Sequence, residues 1–413
     1  MPSLRQGVAR NLKPRACSAT GKAMRMVVTF TALLYGSGCF LSISGILLHL
    51  LNDVAVQAFY CWNIRKFSFY IHGTLYYSVK NDASSGMESN KHKGVAMGLI
   101  FNEVEKVEIL TLQDNYIDLV SQDNTEIIQR AMPLKGMEVK NSVLAEHGFS
   151  SLITTTSQGV LRKMLFDFGF SEHGAAFNAE ALSADLTAVE VLALSHGHLD
   201  HVGGMEKLVR KIGKDHIELV LHPAAFRSPR YIKITEDFKV YFPAFTREKA
   251  QAAGAALIES EEPCFLLDNT TIFLGEIPRQ TDFEKGAPNF FYEENGIEKQ
   301  DLINDDSAVV FNVRGKGLVI LSGCAHAGIV NTARYAQEVT GIDKIYAIMG
   351  GFHLSGADFD SVVKPTAHAL KKLDPDYIIP THCTGRKAIN YIEKEMPGQF
   401  LLNMAGTKLT FSS

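Results

Sequence analysis

A layered α/β fold is what this 413-residue chain predicts, and three observations carry that expectation. Short apolar runs end abruptly in Gly, Ser or His, as strands buried on both faces do. Helix-period segments alternate with those runs, which implies sheets with helices packed on them. Several runs also deliver a His, Asp or Cys at their carboxyl ends, the edge of a sheet where loops are free of packing and ligands collect.

In chain order, VEILTL (107–112), VLRKMLFDFGF (160–170), VEVLALSH (189–196) and IELVLH (217–222) read as strands. TIFLGEI (271–277), SAVVFNV (307–313), GLVILSG (317–323), KIYAIMGG (344–351) and YIIPTH (377–382) follow. GGMEKLVRKIG, NTARYAQEVTG, SVVKPTAHALKKL and RKAINYIEKEM carry the 3.6-residue period of amphipathic helices. Residues 223–306 include the polar, aromatic stretch RQTDFEKGAPNFFYEENGIEKQDLINDD and read as an insertion that covers a site. The regular pattern thus spans residues 104–413, one catalytic domain in size.

Hydrophobic residues make up 46% and charged residues 21%, which places the chain among ordinary soluble globular proteins. A formal net charge of −4 gives no strong nucleic-acid signal. Six scattered cysteines form neither a disulfide framework nor a CxxC pair, and two of them neighbour histidines. Reduced thiols and a cytoplasmic catalytic domain are expected. Residues 1–96 differ from the rest. A basic leader precedes MVVTFTALLYGSGCFLSISGILLHLL (26–51), which lacks Asp, Glu, Lys and Arg. That stretch is long enough for a membrane anchor, the one route to membrane contact; the alternative is a mis-assigned start near Met87 or Met97.

The densest chemistry is SHGHLDHVGG (195–204). Imidazoles and a carboxylate packed this closely are the donor set that zinc and similar divalent ions prefer. His196 and His198 lie on one side of an extended turn and can grip one ion; Asp200 and His201 begin the next turn and can reach a second. His326 and Cys324 follow GLVILSG, His353 follows KIYAIMGG, and His382 ends YIIPT. Their placement predicts convergence on one site. Asp306 and its neighbour Asp305 precede a strand and serve equally as loop carboxylates. His222 reads as a loop cap, and His147, His173, His216 and His368 as surface residues. Arg386, with Gly385 before it, opens a helix that can hold a substrate phosphate.

The stretch around His196 resembles the hallmark of the metallo-β-lactamase superfamily. That resemblance implies an αββα sandwich, two mixed β-sheets between helices, with the site along one edge. It implies a first ion on His196 and His198, a second on Asp200 and His201, His382 as the final histidine ligand, and Asp167 of LFDFG orienting a ligand from behind. LSGCAHAGIVNT (321–332), IMGGFHLSG (348–356), PTHCTGRKA (380–388), Asp114-Asn115 and LHPAAF (221–226) are similar to one branch, that of the methanopterin-pathway synthase. Its chemistry joins a dihydropterin to an aminobenzene ribofuranosyl phosphate. One departure stands out: where most hydrolases of the superfamily carry a bridging aspartate in a GD pair, this chain has Gly323-Cys324.

The expectation is a metal-dependent enzyme with one or two divalent ions, zinc first, with manganese, magnesium or iron as alternatives. Asp200 and His353 are the catalytic candidates; the substrate is a small phosphorylated or pterin-like molecule, hydrolysed or condensed. A metallo-nuclease of the same superfamily and a metal-binding module without turnover are the competing readings. Oligomeric state is not legible.

Overall fold

The computed structural model describes residues 101–139 and 141–413, together with the backbone of four short N-terminal strands. The chain divides into two units, Met1–Gly94 and Val95–Ser413. In the first, Thr31–Tyr35 pairs with Gly38–Ser42 and Ser68–Ile71 with Thr74–Tyr77, both antiparallel. The membrane-segment and mis-assigned-start readings fall largely outside the described residues. Among the described residues, no helix is long and apolar enough to cross a membrane.

The second unit carries two large sheets. The first contains β1 (Lys106–Gln113), β2 (Ser150–Ser157), β3 (Val160–Phe166), β4 (Val189–Ala193) and β5 (Ile217–Leu221). A flap follows with β6 (Arg230–Thr235) and β7 (Phe238–Tyr241). Next come β8 (Ala255–Glu259), β9 (Cys264–Leu266) and β10 (Thr271–Phe273), then β11 (Phe290–Glu294) and β12 (Ile297–Gln300). The remainder are β13 (Ala308–Val313), β14 (Gly317–Ser322), β15 (Ile345–Gly351), β16 (Tyr377–Thr381) and β17 (Lys408–Ser412). Sheet one runs β8-β5-β4-β3-β2-β1-β17, with Ile128–Gln129 at its edge; sheet two runs β9-β10-β13-β14-β15-β16. Both mix antiparallel hairpins with parallel pairs: β3, β4, β5 and β8 in the first, β14, β15 and β16 in the second.

Helices α1 (Gly174–Ala181), α3 (Met205–Ile212) and α4 (Arg247–Ala252) lie with the first sheet. The short α2 (Leu199–Val202) carries Asp200 and His201, with His198 at its N-cap. Helices α5 (Ile329–Thr340), α6 (Asp360–Leu373) and α7 (Arg386–Glu395) pack on the second. The apolar runs are continuous because each face of a strand meets a different core. Val319 and Leu321 of β14 join the layer between the sheets, alongside Val107, Ile109, Phe166 and Phe411. Leu318 and Ile320 turn the other way, onto the helices. A buried side chain of this size contributes about 1.5–3 kcal/mol, so the central layer is the main cohesive element. Helix α3 shows the complementary pattern: Met205, Leu208, Val209 and Ile212 are its buried stripe, and left-handed Gly213 ends it.

The expected insertion at 223–306 is smaller than the sequence suggested. β8 extends the first sheet, and β9 and β10 belong to the second, so the middle of that span is sandwich. What stands outside is a four-stranded antiparallel sheet, β7-β6-β11-β12. The second strand, SSLITTTS, was invisible as an apolar run. Ser150, Ser151 and Thr155 are nevertheless buried, and β-branched Thr suits a pleated surface as Val does.

Candidate metal centre

Five strands end on one edge of the sandwich, and there the side chains gather. Asp167, Ala325, His353 and His382 all leave their strands in the left-handed backbone region, with φ of 57°, 50°, 43° and 48°. Non-glycine residues adopt it at a cost of about 1–2 kcal/mol, and such strain clusters where side chains must be aimed.

Two groups of ligand-type atoms form, each with its atoms within 4.8 Å of one another. His196, His198 and His326 make the first; Asp200, His201, Cys324 and His382 make the second. In the first, His196 Nε2 lies 3.0 Å from His198 Nδ1. The other nitrogen of His198 and both nitrogens of His326 are buried without a hydrogen-bond partner. In the second, His201 Nε2 is 3.1 Å from Cys324 Sγ and 3.6 Å from Asp200 Oδ2, and His382 Nε2 is 3.2 Å from the same oxygen. Buried nitrogens left unpaired cost free energy. A cation between them would satisfy them, so the residues present fit divalent ions.

The chain presets which ring nitrogen is free. Ser195 Oγ donates its one proton to Asp167 Oδ2 at 2.7 Å, so the hydroxyl must accept from His196 Nδ1 at 3.0 Å. His196 therefore presents Nε2 as a lone pair. Asp167 Oδ2 also takes the Nδ1 proton of His201 at 2.6 Å, which turns His201 Nε2 inward. Gly323 is glycine because a Cβ there would overlap Ser195 Oγ. Opposite, Asp114 accepts the backbone N–H of His382 at 3.1 Å, and Asn115 Oδ1 meets His382 Nδ1 at 3.1 Å. Outer partners of this kind set ligand orientation and basicity.

Burial holds His196 and His326 well below the usual histidine range, His198 at about 3, and lowers His382 as well. These rings are neutral and available. His201 behaves otherwise: burial works against its charge, but the carboxylates of Asp200 and Asp167 outweigh it and raise its pKa. A place that attracts a proton between two carboxylates attracts a cation. Burial pushes the Asp306 carboxyl up to about 7 and the Cys324 thiol well above its ordinary value.

Around the ions' places lies an aromatic cover. Phe290 stacks on His198 at 5.3 Å and Phe242 sits 5.0 Å from it, both supplied by the flap region. His353 stands 4.2 Å from the His326 ring and 4.8 Å from Phe359, its pKa brought to about 4 by burial. A cavity of about 50 Å³ lies among His326, His353, Gly328, Lys285 and Phe359.

The structure thus brings His196, His198, Asp200, His201, His326 and His382 together, with Cys324 in the second group and Asp167 behind it. Asp306 enters neither group; its Oδ2 accepts the backbone N–H of Ala327 at 2.8 Å and braces the His326 loop. Arg386 is exposed at the first position of α7, and neither it nor Gly385 lines the cavity. The glycine lies instead against Ser355. His222 does cap its loop, accepting from Ala224 N–H at 3.1 Å. His147, expected as a plain surface residue, faces Asp200 Oδ2 at 3.3 Å from a half-open position. The signal that finds it is its place just before Phe149, a core residue leading into β2.

Comparison with known proteins agrees with this architecture. The model of the metallo-beta-lactamase superfamily matches residues 146–336. The chain is 34% identical over 276 residues to the 7,8-dihydropterin-6-methyl-4-(beta-D-ribofuranosyl)-aminobenzene-5'-phosphate synthase of Methanocaldococcus jannaschii, covering 65% of this chain and 90% of that one. It belongs to the metallo-β-lactamase superfamily. The uncharacterised protein MJ0448 from the same archaeon is 30% identical over 256 residues, 60% of this chain and 88% of its own. Among solved structures, Tm1679, a metal-dependent hydrolase of the β-lactamase superfamily, superposes with a TM-score of 0.56 at 25% identity, over 74% of this chain and all of that one. Superfamily membership implies divalent metal binding, and the two groups of ligand-type side chains at the sheet edge are the candidates for it among the described residues.

Proposed function

We propose that the chain is a two-ion enzyme that condenses a pterin-like and a phosphorylated aromatic substrate, in the manner its archaeal relative's name describes. The observation that supports this most is the pair of adjoining ligand groups with buried, unpartnered nitrogens, in a chain that covers 90% of that synthase. His196, His198 and His326 would hold one ion; Asp200, His201, Cys324 and His382 the other. Bound ions of this kind supply Lewis acidity, neutralising charge on a phosphoryl leaving group or lowering the pKa of water.

The chain's own groups do the rest. Phe359 at the cavity wall and Phe242, both partly exposed, offer aromatic surface to flat rings. Lys285, exposed at the cavity rim, offers a cation to a phosphate. His353 is neutral and half-buried at the cavity wall, placed to take a proton from the attacking group. Cys324 replaces the carboxylate that most hydrolases of the superfamily put between their ions, which weakens the case for simple hydrolysis. Hydrolysis is the second reading, favoured by the likeness to Tm1679.

The test is metal analysis of the purified chain, then product analysis with a dihydropterin methyl diphosphate and an aminobenzene ribofuranosyl phosphate, beside ester and phosphodiester substrates. His198→Ala is the blank. A metal-dependent condensation product absent from the blank supports the proposal. Hydrolysis alone supports the second reading. Equal metal content and activity in His198→Ala would overturn both.

A further inference from the structure

One amide, that of Asn115, stands between two imidazoles. Gly148 N–H donates to Asn115 Oδ1 at 3.2 Å, and a backbone N–H can only meet an acceptor. Asn115 Nδ2 donates to the carbonyl oxygen of His382 at 3.0 Å, and a carbonyl can only meet a donor. Two backbone groups therefore fix which end of the amide is oxygen and which is nitrogen. The two remaining contacts follow. Oδ1 lies 3.1 Å from His382 Nδ1, so that nitrogen carries a proton. Nδ2 lies 3.2 Å from His147 Nδ1, so that nitrogen presents a lone pair.

A neutral imidazole has one N–H. His382 consequently offers Nε2 as a lone pair, while His147 carries its proton on Nε2. Both Nε2 atoms face the same oxygen, Asp200 Oδ2, at 3.2 Å and 3.3 Å. Their settings differ as their tautomers do: the His382 side chain is fully buried, and that of His147 is 59% exposed. The amide itself is anchored, since Asn115 N–H donates to Asp114 Oδ1 at 2.7 Å, the oxygen that also receives His382 N–H.

We propose that Asn115 assigns opposite tautomers to its two neighbours, making His382 a metal ligand and His147 a hydrogen-bond donor that positions the Asp200 carboxylate for the second ion. This rests on the reading of Asp200 and His382 as ligands. His147 is then a positioning residue at the open side of the centre, barred from ligation by its own proton. Asn115 is the element that tells two nearby histidines apart.

The experiment uses the full chain. Nitrogen-15 spectra of histidine-labelled protein without metal report the tautomer of each ring, with His147→Ala and His382→Ala giving the assignments. Zinc titration against a chromophoric chelator then measures both ions separately. The expected result is an Nε2–H form for His147 and an Nδ1–H form for His382. His147→Ala and Asn115→Asp should weaken the second ion by about 10–100-fold, the usual effect of losing an outer-shell partner, and leave the first unchanged. His147→Gln, which keeps a side-chain N–H, should recover most of the loss. Should Asn115→Asp fail to fold, the exposed His147 pair still decides. Wild-type binding of two ions, with His147→Ala binding both as tightly, overturns this proposal alone. An Nδ1–H form for His147 does the same. Wild-type binding of fewer than two ions overturns the two-ion reading and this inference with it.

Discussion

Arg230 of the flap and Asp305 before β13 meet in the protein interior, Arg230 Nη1 standing 3.1 Å from Asp305 Oδ2. The same oxygen accepts the backbone N–H of Gly197 at 2.8 Å, between His196 and His198 of the first group. Arg230 Nε also pairs with Asp301 at 2.7 Å. One buried cation thus ties the flap that carries Phe290 to the turn that aims His196 and His198.

Arg230→Ala should therefore destabilise the protein by about 3–5 kcal/mol, since it strands buried carboxylates. It should also lower zinc occupancy of the first group, because the turn loses its brace. Urea denaturation with parallel metal analysis checks both. A loss below 1 kcal/mol with full occupancy would show that Asp305 finds other support.

Asp167→Asn tests the preset tautomers. An amide oxygen can still accept, but the amide nitrogen now faces donors where Ser195 N–H and Ser195 Oγ met carboxylate oxygens at 2.7 Å. His196 and His201 lose their fixed orientation together, and affinity for both ions should fall by about 10–100-fold. Dialysis against a chelator, followed by metal analysis, gives the answer. Retention equal to wild type would remove Asp167 from the centre.

Cobalt substitution addresses the thiol. With Cys324 Sγ 3.1 Å from His201 Nε2, an ion in the second group is expected to take the sulfur, and the cobalt protein should show a sulfur-to-metal charge-transfer band. Cys324→Ser should abolish the band and weaken the second ion. A wild-type cobalt protein without the band would make Cys324 a packing residue.

Strand and helix order were legible because burial on both faces writes continuous apolar runs, as in Gly317–Ser322 and Ile345–Gly351. The ligand groups were legible for a related reason: each side chain rides the end of such a run. Ser150–Ser157 escaped because hydroxyl side chains can be buried in a sheet without changing their letters' polar look. The extent of the insertion was misread because Ala255–Glu259 and Cys264–Leu266 are short edge strands with partly exposed residues. His147 and Asn115 escaped because their roles depend on contacts across the fold, His147 with Asp200 and Asn115 with His382. The one local hint is the place of His147 just before core residue Phe149. Cys324 lay between these cases: its place was readable, while its nearness to His201 is a tertiary fact.

The metal-free protein should be acid-sensitive in a defined window. Burial first, then the charge of Arg230, holds His198 at about 3 against an ordinary 6.5. The folded pKa is depressed, so below pH 6.5 the unfolded chain takes up a proton that the folded chain refuses. Stability from this group is complete above 6.5 and drains away as pH falls toward 3, by about 2 kcal/mol at pH 5. His196 and His326, also lowered by burial, act in the same direction. Urea midpoints of metal-free wild type should drop between pH 7 and pH 5. His198→Gln, which cannot titrate, should drop less over the same interval. Identical pH dependence in the two proteins would mean that the His198 ring is protonated in the fold, and a charged ring has no lone pair with which to begin holding an ion.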